Sequence, residues 1–255
     1  MKLIASSFKK LAVCAVALLV GALVSDLQAQ AMKQSKAKVR AVRGQVQYKA
    51  TAAAEWAPLK VGAVLNPGAI IQTGADSSTD LFLDRIQSVV RVTAATEIGL
   101  DKLNYAQTDE ETVVEAELNL KSGTILGNVK KLAAASRYDV KIPNGVCGIR
   151  GTEFKVSADG KVWVVTGVVK VTYQAPGQPQ IVVDVKAGEV FIPPQAGQPH
   201  QVVNIPPSDP TWIEIKIPQP QEGGVSVTIT APSNPDTQPV PDKSDVKPSV
   251  TVTVE

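Results

Sequence analysis

Apolar and polar residues alternate with period two along most of this chain. A strand exposes successive side chains on opposite faces, so strict alternation predicts half-buried β-strands. Val39-Arg40-Ala41-Val42-Arg43 leads across Gly44 into Gln45-Val46-Gln47-Tyr48-Lys49. Short extended pieces follow at residues 56–60 and 69–73, set between turn signals at Gly62, Asn66-Pro67-Gly68 and Gly74. Residues 78–83 place Leu81 and Leu83 on one face and Asp80 and Phe82 on the other, and Asp84-Arg85 turns the chain. Residues 89–92 and 96–103 continue the pattern.

Residues 108–121 set helix against strand. Thr108 with Glu111 has the form of a capping box. Val114, Ala116, Leu118 and Leu120 nevertheless alternate with Glu115, Glu117, Asn119 and Lys121. That period predicts an acidic loop followed by a strand. Gly123 and Gly127 are expected to bracket a short strand at 124–126, and residues 129–136 to hold one helical turn. Strands are then predicted at 138–142, 153–156, 161–165 and 168–173. Residues 181–186 and 189–192 flank Ala187-Gly188 and read as a hairpin. Turn signals every six to twelve residues, with no amphipathic helix between residues 39 and 192, predict an all-β domain, solenoid-like or sandwich-like.

Composition divides the rest of the chain. Residues 1–31 carry the parts of an export signal: basic Lys2, Lys9 and Lys10, an apolar run of fourteen residues at 11–24, and Ala29-Gln30-Ala31 as a cleavage pattern. Removing them takes away three lysines and Asp26 and brings the formal charge from +2 to zero. Bulk charge therefore gives no argument for a nucleic-acid partner. After cleavage no stable membrane span is expected, and an uncleaved signal anchor is the rival reading. Only Cys147 remains, so no intrachain disulfide can form; its apolar neighbours predict a buried, unreactive thiol. Residues 193–230 form a proline-rich extension with strand-like stretches at 211–217 and 225–230. Residues 231–255 read as a flexible linker ending in the β-prone Val250-Thr251-Val252-Thr253-Val254.

Catalytic chemistry finds little support. The single histidine, His200, lies in a proline-rich loop, so neither a hydrolytic triad nor a Cys/His zinc cluster can be assembled. Asp80 with Asp84, and Glu115 with Glu117, are the carboxylate pairs to weigh for acid–base work. Asp109, Glu110 and Glu111 lack the spacing of a calcium loop. Trp56, Trp163 and Trp212 make a sugar platform only if the fold gathers them. No catalytic residue, metal or cofactor is predicted.

The most informative stretch is residues 143–156, PNGVCGIRGTEFKV. Its glycines, Gly145, Gly148 and Gly151, read as a tight crossing between two half-buried strands. A strand follows the glycines where a nucleotide loop would need a helix, so this is no phosphate loop. Gly148-Ile149-Arg150-Gly151-Thr152-Glu153-Phe154 resembles the Gly-x-Arg-Gly-Thr-x-Phe core of the FecR domain. Residues 59–62, 67–74, 80–83, 120–125 and 164–169 resemble the family's other conserved segments in order. The resemblance implies an all-β domain, periplasmic or extracellular; together with the missing catalytic clusters and the β-prone tail it leads to the expectation of a non-enzymatic protein that binds an envelope protein or surface polymer. It also implies one alternative, a signal-relay accessory of the kind found in iron-uptake regulation; the exposed carboxylates and tryptophans leave a second, a polysaccharide-binding module or carbohydrate-active enzyme. Gly145, Gly148, Arg150, Gly151, Thr152 and Phe154 are expected to be structural, with Arg150 as a hydrogen-bonding hub.

Overall fold

The computed structural model describes residues 31–107 and 111–206. The expected export signal, the acidic stretch 108–110 and the strand-like stretches beyond residue 206 lie outside the described residues. Within them there are nineteen strands and no helix. The first eight are β1 (Lys33–Gln34), β2 (Ala37–Arg43), β3 (Val46–Lys49), β4 (Ala57–Pro58), β5 (Val64–Leu65), β6 (Ile70–Thr73), β7 (Ser78–Leu83) and β8 (Ser88–Val92). Two long strands follow, β9 (Glu97–Gln107) and β10 (Thr112–Ser122). Then come β11 (Thr124–Val129), β12 (Arg137–Ile142), β13 (Gly145–Ile149), β14 (Glu153–Ser157) and β15 (Val162–Thr166). The last are β16 (Val168–Tyr173), β17 (Ile181–Lys186), β18 (Glu189–Ile192) and β19 (Gln201–Asn204).

These strands form two sheets. The first has the order β17-β16-β13-β12-β10-β9-β6-β3-β4, with β1 also paired to β9; the second runs β19-β18-β15-β14-β11-β8-β7-β2-β5. From β12 onward the chain lays two strands in the first sheet, then two in the second, and repeats. After β12 and β13, each new pair docks antiparallel on the last strand left in its own sheet: β14 on β11, β16 on β13, β18 on β15. The one parallel pairing among the described strands is β10 with β12. The all-β expectation therefore holds, and from β6 in the first sheet and β7 in the second the strands are laid in chain order.

One core lies between the sheets. Alternation puts Leu81 and Leu83, Val90 and Val92, Leu118 and Leu120, and Val169 and Val171 into it, all fully buried. Tyr138 from β12 reaches across to Ser88 of β8, hydroxyl to hydroxyl at 3.2 Å, which supplies the partner a buried phenol needs. The outer face of the first sheet is polar. Lys121 pairs with Glu97 at 2.9 Å, Lys141 with Glu117 at 2.6 Å and Arg137 with Asp139 at 2.5 Å.

Several local expectations are corrected. Gly127 does not end a strand: β11 runs through it to Val129, because the ring of Phe154 on the neighbouring strand fills the space where a Cβ would stand. Residues 129–136 hold no helical turn. β17 and β18 are not a hairpin, since they belong to different sheets. The amides of Ala187 and Gly188 bond back to the carbonyls of Gly167 and Val164, at 3.0 and 2.8 Å, and this carries the chain over from one sheet to the other. Pairing also continues past Ile192, where β19 adds to β18 from within the proline-rich stretch.

Candidate functional site

The glycine-rich stretch is built differently from a simple crossing. Pro143-Asn144 makes the turn, and Gly145 already begins β13, which pairs with β12 on one side and β16 on the other. A Cβ on Gly145 would stand 2.3 Å from the Thr172 carbonyl oxygen, so the absent side chain is what lets these strands approach. Gly148 is roomier, with no atom nearer than 3.7 Å to such a Cβ.

The passage between sheets comes at Arg150-Gly151-Thr152. Gly151 has φ +99°, and a Cβ there would meet the Lys131 Cα at 2.5 Å. Gly167 in turn lies against Gly151: its Cβ would be 2.6 Å from the Gly151 oxygen. The Val129 amide donates to the Thr152 carbonyl at 3.0 Å, and the Ile205 amide to the Gly188 carbonyl at 2.8 Å. Four crossings (at 129–131, 150–152, 166–167 and 187–188) thus stack along one side, with Ile205 as the next rung. The Arg150-Gly151-Thr152 part of the motif is one rung of this ladder, and Gly151 sets how closely that rung meets its neighbours. Phe154, fully buried, anchors the chain on entry to the second sheet. Thr152 is 1% exposed, and its hydroxyl is buried without a hydrogen-bond partner.

Arg150 departs from its expected role as a hub. Its side chain is exposed, and among the described residues it makes no hydrogen bond or ion pair. It stands instead on the rim of an open groove of about 890 Å³ beside the ladder. Lys131, Arg137, Lys170, Asp139 and Asp184 also line this groove, together with Gly148 and Ile149. Arg137 is neutralised by Asp139, which holds the guanidinium above its ordinary range. Lys131, Arg150 and Lys170 leave the groove with a cationic surplus. Ser136 fixes one wall by accepting the Val114 amide at 3.0 Å.

The remaining candidates are not brought together. Asp80 is clasped by Arg91 through two bonds of 2.7 and 2.8 Å, a two-pronged pairing that leaves no free carboxylate. Glu115 receives bonds from Lys102 and Asn104, which hold its carboxyl below the ordinary range. Glu117 is held by Lys141. Trp56 lies just before β4 of the first sheet and Trp163 on β15 of the second, each with a lysine over its ring at about 5 Å, Lys49 and Lys155 respectively. Trp212 lies outside the described residues. His200 is exposed, with its ring centroid 6.0 Å from that of Phe191. Cys147 is fully buried, and burial pushes its thiol up to about 12. No group of three or more metal-ligating side chains occurs among the described residues.

Comparison with known proteins agrees with the motif. No curated protein matches the chain. Two crystal structures of a candidate anti-sigma factor from Parabacteroides distasonis ATCC 8503, at 1.65 and 2.50 Å resolution, share 19% identity with it. Each covers 53% of this chain, with TM-scores of 0.40 and 0.39. The chain spans 59% of the length of each. Residues 69–170 match the family model of the FecR protein, a span that runs from β6 into β16 and includes the whole motif. Over those residues the chain is similar to the FecR protein family.

Proposed function

We propose that this is a non-enzymatic FecR-domain protein of the cell envelope, periplasmic or extracellular, that binds a partner protein or surface polymer through the groove beside the crossover ladder. The carrying observation is the state of Arg150. The motif makes its tight crossing at Gly151 and leaves its arginine in the open, unpaired among the described residues, in a groove that Lys131 and Lys170 also line. An arginine that served only the fold would be expected to bond nearby carbonyls or a carboxylate. Its planar fork suits a carboxylate or phosphate on an incoming ligand. The FecR match and the export-type N-terminal sequence support an envelope location.

A photoreactive residue in place of Val168, on the groove wall, tests this in native envelopes. The expected result is a discrete crosslinked partner that disappears when Arg150→Ala and Lys170→Ala are introduced. Arg150→Ala alone should shift stability by less than about 0.5 kcal/mol, as for an exposed side chain without partners. Crosslinks unaffected by both substitutions would overturn the reading. A signal-relay role, implied by the same FecR match, would use the same groove, and it predicts that the double variant also alters sigma-factor-dependent transcription.

A further inference from the structure

The two ends of the stacked sheets are finished differently. At the end formed early in the chain, the outermost strands β4 and β5 have two residues each, and Pro58 and Pro67 stand in or beside them. Short strands and prolines blunt an edge against further pairing. At the other end, β17 is six residues long, contains no proline and, among the described residues, is paired on one side alone, with β16. Val182 on it is 58% exposed, and Ile181 and Val183 are only half-buried. A full-length, largely apolar edge of this kind is an open template for one more strand.

We propose that the open edge of β17 is the docking site for residues 211–217 of this same chain, Thr-Trp-Ile-Glu-Ile-Lys-Ile. Three observations converge on that occupant. The first is the winding. After each pair laid in the second sheet the chain returns to the first and docks antiparallel on its last strand, as β16 does on β13. The pair β18–β19 is now complete, and the last strand left in the first sheet is β17. The second is the point of departure. β19 runs in the same direction as β15, both being antiparallel to β18. Ile205, buried, then bonds to Gly188 on the crossover ladder, the same ladder on which the chain changed sheets at Gly167 before β16. The residues that follow, Pro206-Pro207-Ser208-Asp209-Pro210, cannot donate along a ladder at three positions, so the next segment able to pair begins at Thr211.

The third is complementarity. In β17, Val183 and Val185 face the core, while Asp184 and Lys186 face outward. An antiparallel register that sets Ile215 opposite Val185 also sets Ile217 opposite Val183, Glu214 opposite Lys186 and Lys216 opposite Asp184. Both apolar pairs then share the inner face and both opposite-charge pairs the outer, the arrangement that stabilises cross-strand neighbours. Slipping by two residues places Glu214 opposite Asp184, a like-charge pair.

Cysteine pairs in the full chain, with Cys14→Ser and Cys147 buried, read the register directly. Lys186→Cys with Glu214→Cys is expected to give a disulfide within one chain under mild oxidation, in at least tenfold higher yield than Asp184→Cys with Glu214→Cys. A disulfide between chains would assign the edge to a second copy. No disulfide, or equal yields from the two pairs, would leave the edge free or the register wrong. Each of these three results overturns the proposal. Hydrogen exchange provides the second measurement. Ile213→Asp with Ile215→Asp should speed exchange in β17 at least tenfold and leave β12 and β13 unchanged; unaltered β17 exchange would also refute it.

Discussion

Gly127 and Phe154 face each other across β11 and β14, and Gly127→Ala should expose how tightly they are fitted. The added Cβ would lie 2.2 Å from Cζ, 2.4 Å from Cε1 and 2.8 Å from Cε2 of the ring. Phe154 is fully buried, so the ring has no open direction in which to retreat. Overpacking of this kind costs roughly 1–3 kcal/mol. Replacing a strand glycine recovers about 0.5–1 kcal/mol through the unfolded chain. The net expectation is a loss of about 1–2 kcal/mol, or roughly 2–8 °C in Tm for a domain of this size. Urea denaturation is the assay, and the midpoint should fall at constant m. Phe154→Leu alone should also destabilise, by leaving a partial cavity. In combination the shorter side chain makes room for the new methyl. The double variant should therefore be more stable than the two losses added together, by about 0.5–2 kcal/mol. Strict additivity, or a Gly127→Ala variant as stable as the parent, would refute the packing account.

The motif glycines should separate cleanly: Gly148→Ala is expected to be nearly silent, whereas Gly151→Ala, at φ +99° and against Lys131, should cost about 2 kcal/mol or more in the same urea assay. Thr152→Val should be neutral or stabilising by up to about 1 kcal/mol, because the buried hydroxyl it removes has no partner; a clear loss of stability would reveal a partner for that oxygen. Burial raises the Cys147 thiol from 9.0 to about 12, so its contribution to stability is complete below pH 9 and is lost as pH rises toward 12. Melting scans across that range should show a smaller alkaline loss for Cys147→Ala, and native Cys147 should resist thiol reagents at about pH 8.

Much of the fold could be read from alternation alone, because burial of one strand face is a local property of sequence. The register of β7 and the choice of strand over helix for β10 rest on nothing else. What failed were features decided by residues distant in the chain. Gly127 looks like punctuation until Phe154, 27 positions later, is known to occupy its missing side chain. Ala187-Gly188 has the chemistry of a two-residue turn, but its amides are taken by Gly167 and Val164, so the chain crosses between sheets. The glycines of the motif hid β13, since strand composition rarely includes them; only the close approach of Thr172 explains Gly145. β19 is four polar and apolar residues within a proline-rich context, too short for periodicity to signal. Arg150 was recognisable as important from its motif, but its exposure depends on the groove that separate segments of the chain assemble.

The two-by-two winding also bears on the order in which the molecule can form. From β12 on, each pair of strands finds its docking edge on a strand that lies earlier in the chain, and none waits for a later one. Assembly can then proceed from the N-terminal end in the order of synthesis or translocation, each hairpin closing on a surface already in place. Loops closed at each step are short and of similar length, which keeps the entropic cost of every addition modest. A chain emerging from a narrow pore would need no long-range search for its partner strands.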